Sequence, residues 1–503
     1  MFDWPFLEFS VALSVSLVTI FLLRKWSRRT DRTTLLGWPL FGSSHRFTSG
    51  RVIQTIQAIA RLGPMVDIFN GIWRITVLSD VNDVREVLLH RPRTFRRVAR
   101  AIQGTGLEHG IFISEGAKWS IHRRVVAPPF SKLNVSRLLD KILVETNTLV
   151  HRLHAMDGEV IDFTRLASEF TIAVIGRVAF DLGTDTCGGD YFHSMAFRSD
   201  IGDLLSFAAM NSLSTLPPIL ARCSPAFYRS EEKAVKASHR LKRCAMELID
   251  FTKTVDKGVR QTETFIRAIS RALDEGKLSL EEVLSDIVTL FVAGTDTTAI
   301  GISWALYHLS FRPDIQDCIR KEVDSFKGGD AASLMSSLQL CRACFKEALR
   351  MQGPVAFLPM RTVGNDELLL TSGRVVRPSD TLWLSLDAVS NDPEVFQQPG
   401  KYDPYRWLTD DIERLESMQR YFVTFGGGPR VCPGMDLALS EGTFVIARIV
   451  SNFKFELCCS PEEVQRIHRG TASISKMPLK FYHPSSSSGD ECTGNKYSMS
   501  NFH

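Results

Sequence analysis

The chain has 503 residues, 44% of them hydrophobic and 23% charged, with a formal net charge of +4. This is the composition of a globular protein, and it excludes a nucleic-acid partner held by bulk positive charge. The length allows two or three average domains or one large domain with a deep interior, and 32 phenylalanines suit a large apolar interior or pocket. Ten cysteines without the repeated spacing of a disulfide scaffold indicate a reducing compartment. Cys341 and Cys344 form a CxxC, but no second pair stands at zinc spacing, so it is given no metal role.

From Phe6 to Leu23 the sequence is apolar apart from Glu8 and a few hydroxyl residues, close to the ~20 residues that cross a bilayer. Arg24, Lys25, Arg28, Arg29 and Arg32 follow it. A cleaved signal would carry its positive charge before the apolar run, so residues 1–32 read as a membrane anchor with a basic stop sequence, and the positive-inside rule leaves the bulk of the chain cytosolic. Leu36–Gly42 is a hinge punctuated by proline and glycine. Runs such as Trp73–Val77 within residues 63–80 predict small strands. The stretch 94–116 is glycine-dotted and irregular, and Trp119 to Arg124 opens a helix with Trp119 and Arg123 four apart on one face.

Residues 135–280 are mostly helical by periodicity, broken at Pro217-Pro218 and carrying an apolar band over 201–227. A single long helix is expected over 280–311, where proline is absent until Pro313. It is apolar enough to resemble a membrane span, but Asp296 and the threonines at 295, 297 and 298 argue for a buried central helix with a polar interruption. Ala293–Thr298 is a poor helix sequence, because glycine and β-branched residues weaken the ladder. Glu347 and Arg350 stand three apart on another helix face, Leu368–Leu386 alternates like small strands, and Arg406 follows in Pro404–Trp407. The end, 484–503, is rich in serine and polar residues and reads as a disordered tail.

The most unusual stretch is Phe425–Gly434, a glycine-rich loop holding one cysteine. After it, Met435, Ala438, Val445, Ile446, Ile449 and Phe453 recur with the period of a buried amphipathic helix. Cys432 therefore stands at a helix N-terminus, whose partial positive charge favours a metal-binding thiolate. Gly428 and Gly434 let backbone approach something bulky and flat, and Arg430 suits an anionic group. A buried free cysteine in a turn is the plainer alternative.

Phe425, Gly428, Arg430, Cys432 and Gly434 match the haem-binding signature of the cytochrome P-450 superfamily. Trp119/Arg123, Ala293–Thr298, Glu347/Arg350 and Arg406 match further motifs of that family in the same order, so the chain resembles it over residues 33–483. The resemblance implies a mainly α fold with a small β-rich lobe, and haem b (iron protoporphyrin IX) with Cys432 as the axial thiolate. It gives Arg430, Trp119, Arg123 and Arg361 to the haem propionates and packs Phe425 near the sulfur. Asp296 and Thr297 would deliver the protons of oxygen activation, helped by a local widening of the helix. Glu347, Arg350 and Arg406 would form a buried charge triad; Tyr405 stands where the family usually has glutamate. The 201–227 band would be a mobile lid, and Thr471–Lys476 the tip of a hairpin reaching the substrate pocket.

By resemblance the activity is a monooxygenase reaction on a fatty-acid or sterol/isoprenoid type of lipophile, at the endoplasmic reticulum membrane. No flavin or nicotinamide fingerprint is visible, so electrons would come from NADPH through a separate flavoprotein reductase, with a cytochrome b5-type donor as a second partner and Lys118 and Arg124 as docking candidates. Three alternatives stay open: a haem-thiolate isomerase or dehydratase of lipid peroxides, against which the intact Asp296/Thr297 pair argues; a non-catalytic haem-binding protein, which has no use for that pair; and a membrane-anchored protein without haem, which leaves the cysteine loop unexplained.

Overall fold

The computed structural model of the protein describes residues 32–35 and 50–483 together with positions 19 and 47, apart from 71–72, 91–93, 98–102, 104, 106, 183–191, 193, 215–220, 256–261, 363–364 and 379. The expected anchor, save Thr19 and Arg32, lies outside the described residues, as do the Leu36–Gly42 hinge, the Pro217-Pro218 break and the tail 484–503. Arg32 corrects one expectation. It is not a basic flank at a membrane surface; its guanidinium is buried 3.3 Å from Asp67 and 3.4 Å from Asp380.

The described strands form four sheets. In chain order they are β1 (Thr33–Leu35), β2 (Met65–Asn70), β3 (Trp73–Leu78), β4 (Phe95–Arg97), β5 (Val160–Asp162), β6 (Phe357–Thr362), β7 (Leu368–Leu369), β8 (Val375–Val376), β9 (Thr381–Ser385), β10 (Lys454–Leu457), β11 (Arg466–Arg469), β12 (Thr471–Ile474) and β13 (Pro478–Tyr482). Six form the main sheet in the order β1-β2-β3-β9-β6-β4. The expected strands over 63–80 are the β2–β3 hairpin, in which Ile68 pairs with Ile75. Leu368–Leu386 splits into β7, β8 and β9. Every position of β2 is buried, so that strand is covered on both faces and lacks the alternation of a half-buried one.

Helices make up the rest of the described structure. Those that shape the site are α1 (Gly116–Val126), α2 (Phe163–Ala179), α3 (Met195–Leu213), α4 (Pro225–Val255), α5 (Leu280–Ser310), α6 (Gln339–Met351) and α7 (Met435–Asn452). α5 starts at a capping box in which Ser279 and Glu282 satisfy each other's backbone, and the next helix begins at Pro313. It is the one described helix long and apolar enough to cross a membrane, yet more than half of its apolar stretch is buried within the protein. It packs on α2, α4, α6 and α7, which makes it the expected central helix. α7 buries Val445, Ile446, Ile449 and Phe453 in the main core, whereas Met435 and Ala438 in its first turn are only partly buried. That first turn faces a cavity instead.

Candidate active site

The cysteine loop is folded by its own backbone: Cys432 N–H donates to Phe425 O at 2.9 Å, and Gly426 N–H to Val423 O at 2.8 Å. Gly428 has φ +63°, and a Cβ there would stand 2.3 Å from Leu88 O. The reason for this glycine is therefore the backbone of the helix Val81–Leu89, not a flat ligand as the sequence suggested. Gly434 differs. Its φ is −85°, and the nearest atom to an added Cβ is the Cys432 sulfur at 4.0 Å. Protein packing does not demand glycine there; a side chain would project beside the thiol. Gly434 is also the residue before Met435, so Cys432 precedes the first turn of α7. Burial pushes the thiol up, opposed by the Gly434 N–H and the charges of Arg123 and Arg97. The expected lowering by the helix N-terminus does not prevail in the protein alone.

Cys432 is enclosed by the surrounding chain, and its exposed surface is the wall of a cavity of about 280 Å³ between α5 and the cysteine loop. Three arginines share its wall: Arg97, Arg123 and Arg430. Arg430 donates to Ser114 O and Glu115 and stacks over Trp119 at 4.7 Å, but its buried Nε has no partner among the described residues. Arg123 has neither a hydrogen bond nor an ion pair among the described residues. Arg97 lies over the Phe112 ring at 3.6 Å. Burial lowers the Arg123 pKa and takes Arg430 down to about 10, with Glu115 opposing the shift at Arg430. Guanidinium groups in an apolar cavity with open donors and one carboxylate beside them fit a bound dianion. An open position next to a thiol, where any side chain at 434 would intrude, fits a metal centre carried by that dianion. The residues present therefore fit haem.

Arg361 does not belong to this group. It is exposed on β6, paired in register with Arg96 and Thr381, and is not on the cavity wall. Met360 beside it is fully buried, and strand alternation turns the next side chain outward. Arg97, which the sequence reading missed, occupies the cavity wall instead.

Across the cavity, Ala293, Gly294, Thr297 and Thr298 of α5 form the facing surface. α5 is α-helical throughout, so the expected local widening is absent. The irregularity lies in the side chains: Thr289, Thr295 and Thr297 hydroxyls donate to the carbonyls four residues back, Thr297 to Ala293 O at 2.8 Å, a pattern that slightly bends helices. A Cβ at Gly294 would stand 2.9 Å from Ile175, so this glycine lets α2 close on α5. Asp296 is adjacent in sequence but not on the cavity wall. Burial pushes its carboxyl up, opposed by Thr471 and Arg469.

Two further acids line the cavity. Asp286 on α5 meets His122 Nδ1 at 2.5 Å and accepts from Ile111 N–H at 2.5 Å, which ties α1 and the preceding turn to α5. Glu441 on α7 is buried and its Oε2 has no partner among the described residues; burial raises its pKa well above normal. Neither was marked in the sequence, because no local pattern distinguishes a lone acid on a helix.

Behind the cavity, Glu347, Arg350 and Arg406 come together, all buried. Arg350 Nε and Arg406 Nε each donate to Glu347 at 2.9 Å, and Trp407 Nε1 does the same. The remaining nitrogens of Arg350 bond Ser390 O, Asn391 and Pro399 O. Tyr405 is exposed and outside the cluster.

Other expectations about the pocket divide. Arg97, Ile111 and Phe112 from the 94–116 stretch line the cavity, as do Val355 and Leu358, but no described residue of 201–227 or of Thr471–Lys476 does. The 201–227 band packs in the main core through Ile201, Leu204, Phe207 and Phe227. The hairpin turns at Gly470, so Thr471–Ile474 is strand rather than tip. Of the docking candidates, Lys118 is paired with Glu282 at 2.8 Å and Arg124 folds onto Ser120 O.

The family model for cytochrome P450 matches residues 34–484. Among curated proteins the chain is similar to "Cytochrome P450 4F2" of Homo sapiens, 27% identical with 69% of each chain covered. It is 27% identical to "Leukotriene-B4 omega-hydroxylase 3" of Mus musculus over 78% of this chain and 76% of that one. It is 26% identical to "Cyclooctat-9-en-7-ol 5-monooxygenase" of Streptomyces melanosporofaciens over 80% and 85%.

Proposed function

The chain belongs to the cytochrome P450 family and is a monooxygenase of it, and from that premise we propose that it inserts one atom of dioxygen into a lipophile of fatty-acid or isoprenoid type. The observation that carries this reading is one cavity with a cysteine thiol and three arginines on one wall and the Thr297 hydroxyl on the other. The names of two relatives, for leukotriene B4 and for cyclooctat-9-en-7-ol, favour a lipophilic substrate.

In this reading Cys432 holds haem b through its sulfur, and Arg97, Arg123 and Arg430 pair its carboxylates by charge-assisted hydrogen bonds. Thiolate-ligated haem supplies an oxidant strong enough for unactivated carbon, because the ligand favours O–O cleavage. The chain's own task is to manage protons and water. Leu290, Ala293, Val355 and Leu358 keep the wall apolar, which strengthens electrostatic interactions inside. Thr297 donates to Ala293 O; once its hydroxyl turns from that carbonyl toward the cavity, its oxygen accepts from water and it can relay a proton that Asp296 supplies from behind. The triad at Glu347 holds the frame and touches no substrate.

Electrons come from NADPH through a separate flavoprotein reductase, with a cytochrome b5-type protein as second donor, at the endoplasmic reticulum membrane. Purified protein with such a reductase, NADPH, isotopically labelled dioxygen and a panel of fatty acids and isoprenoids is expected to give a product carrying one labelled oxygen. Label absent from every product, with rearranged lipid peroxides formed instead, would overturn the assignment. Removal of residues 1–30 is expected to release the protein from membranes; retention would place another anchor in the folded domain.

A further inference from the structure

Asp296 is one residue from Thr297, yet its side chain is held away from the cavity wall. Thr471 Oγ1 donates to its Oδ2 at 2.5 Å, the one hydrogen bond this carboxylate makes among the described residues. Arg469 is the charged group that faces it. Thr471 opens β12, in register with Arg469 across the turn at Gly470.

That turn has a second neighbour. Gly470 has φ +83°, and a Cβ added to it would stand 2.8 Å from Leu205 O and 3.1 Å from the Leu205 side chain. Both the conformation and the space demand glycine, so the turn is pressed against the backbone of α3. One short turn thus touches α3 on one side and the Asp296 carboxylate on the other.

We propose that Thr471 is a positioning residue for proton delivery: its hydroxyl holds the Asp296 carboxylate turned from the cavity, and the Gly470 turn makes that hold depend on where α3 sits. The proposal rests on the reading of Asp296 as proton source. A ligand that displaces α3 moves the turn with it and frees the carboxyl toward Thr297. The Asp296 carboxyl then gives its proton to a water, the Thr297 hydroxyl turns from Ala293 O, accepts that proton and releases its own to a water on the cavity side, and Asp296 is reprotonated from bulk water; no electrons change hands.

The test uses haem-loaded full-length protein and its Thr471→Val, Thr471→Ser, Gly470→Ala and Asp296→Asn variants. Readouts are the infrared carboxyl band lost in Asp296→Asn, the C–O stretch of the reduced carbon monoxide complex, and product formed per NADPH. Thr471→Val is expected to keep the red-shifted Soret band, move the Asp296 carboxyl band to that of a carboxyl without its donor, shift the C–O stretch, and lower product per NADPH about fivefold at subsaturating substrate, because the freed carboxyl delivers protons before a ligand has displaced α3. Thr471→Ser should restore all three, and Gly470→Ala should reproduce the Thr471→Val spectra. If Asp296→Asn changes product yield while Thr471→Val leaves both bands in place, the positioning role is wrong and the proton reading stands. If Gly470→Ala leaves the carboxyl band in place, the dependence on α3 is wrong. An unchanged yield in Asp296→Asn removes the proton reading and the proposal together.

Discussion

The arginines of the triad and those of the cavity wall differ in how completely they are paired. In the triad, Arg350 uses all three guanidinium nitrogens and shares Glu347 with Arg406 and Trp407. On the cavity wall, Arg430 keeps an unpartnered Nε and Arg123 has no acid or carbonyl partner among the described residues. A saturated cluster repays its own desolvation and asks for nothing further. An open one on a cavity wall leaves room for something anionic to complete it; Arg320, Arg448 and Arg466 also have an unpartnered Nε among the described residues, so it is the open donors together with the cavity that mark the binding site.

This contrast can be broken most directly at Glu347. Glu347→Gln leaves two buried guanidinium groups without their anion and is expected to cost about 3–5 kcal/mol, read as a lowered denaturant midpoint and a loss of soluble protein. Arg123→Ala removes an unpaired cation, so the stability of the haem-free chain should stay within about 0.5 kcal/mol. Its haem should leave for an apoprotein acceptor about ten- to a hundredfold faster, the range for a hydrogen bond to a charged group; Arg97→Ala, which also gives up the contact with the Phe112 ring, should speed haem loss in the same direction. If Arg123→Ala destabilises the haem-free chain as Glu347→Gln does, the distinction fails.

Thr297→Ala sharpens the contrast on the opposite wall. It should keep haem and substrate binding and divert electrons to peroxide, measured as peroxide against product per NADPH; an unchanged ratio would contradict the relay. The smallest effect is expected from Arg361→Ala, which should leave haem retention as it was, because that side chain faces solvent on β6.

Much of this was legible in the sequence. The absence of proline until residue 313 delimits α5, and the period after Gly434 delimits α7, because both signals act within a few residues; the capping box at Ser279 that starts α5 was not read from the sequence. What was not legible are the partners. Local pattern gives the face of a helix but not the residue across from it, so the meeting of His122 with Asp286, the Leu88 carbonyl behind Gly428 and the Thr471 hydroxyl on Asp296 could not be read from spacing. Arg97 and Arg361 show the same limit in a sheet, where one step along a strand exchanges the cavity for solvent. Arg32 looked like one more basic residue after an apolar run until the sheet supplied Asp67 and Asp380.

The central claim is that Cys432 binds haem iron as a thiolate, and the spectrum of the reduced protein under carbon monoxide tests it most directly. The prediction is a strongly red-shifted Soret band in the wild type that is lost in Cys432→Ser while the folded chain survives. A Soret band at the position of a nitrogen-ligated haem, or a red-shifted band that persists in Cys432→Ser, would contradict it.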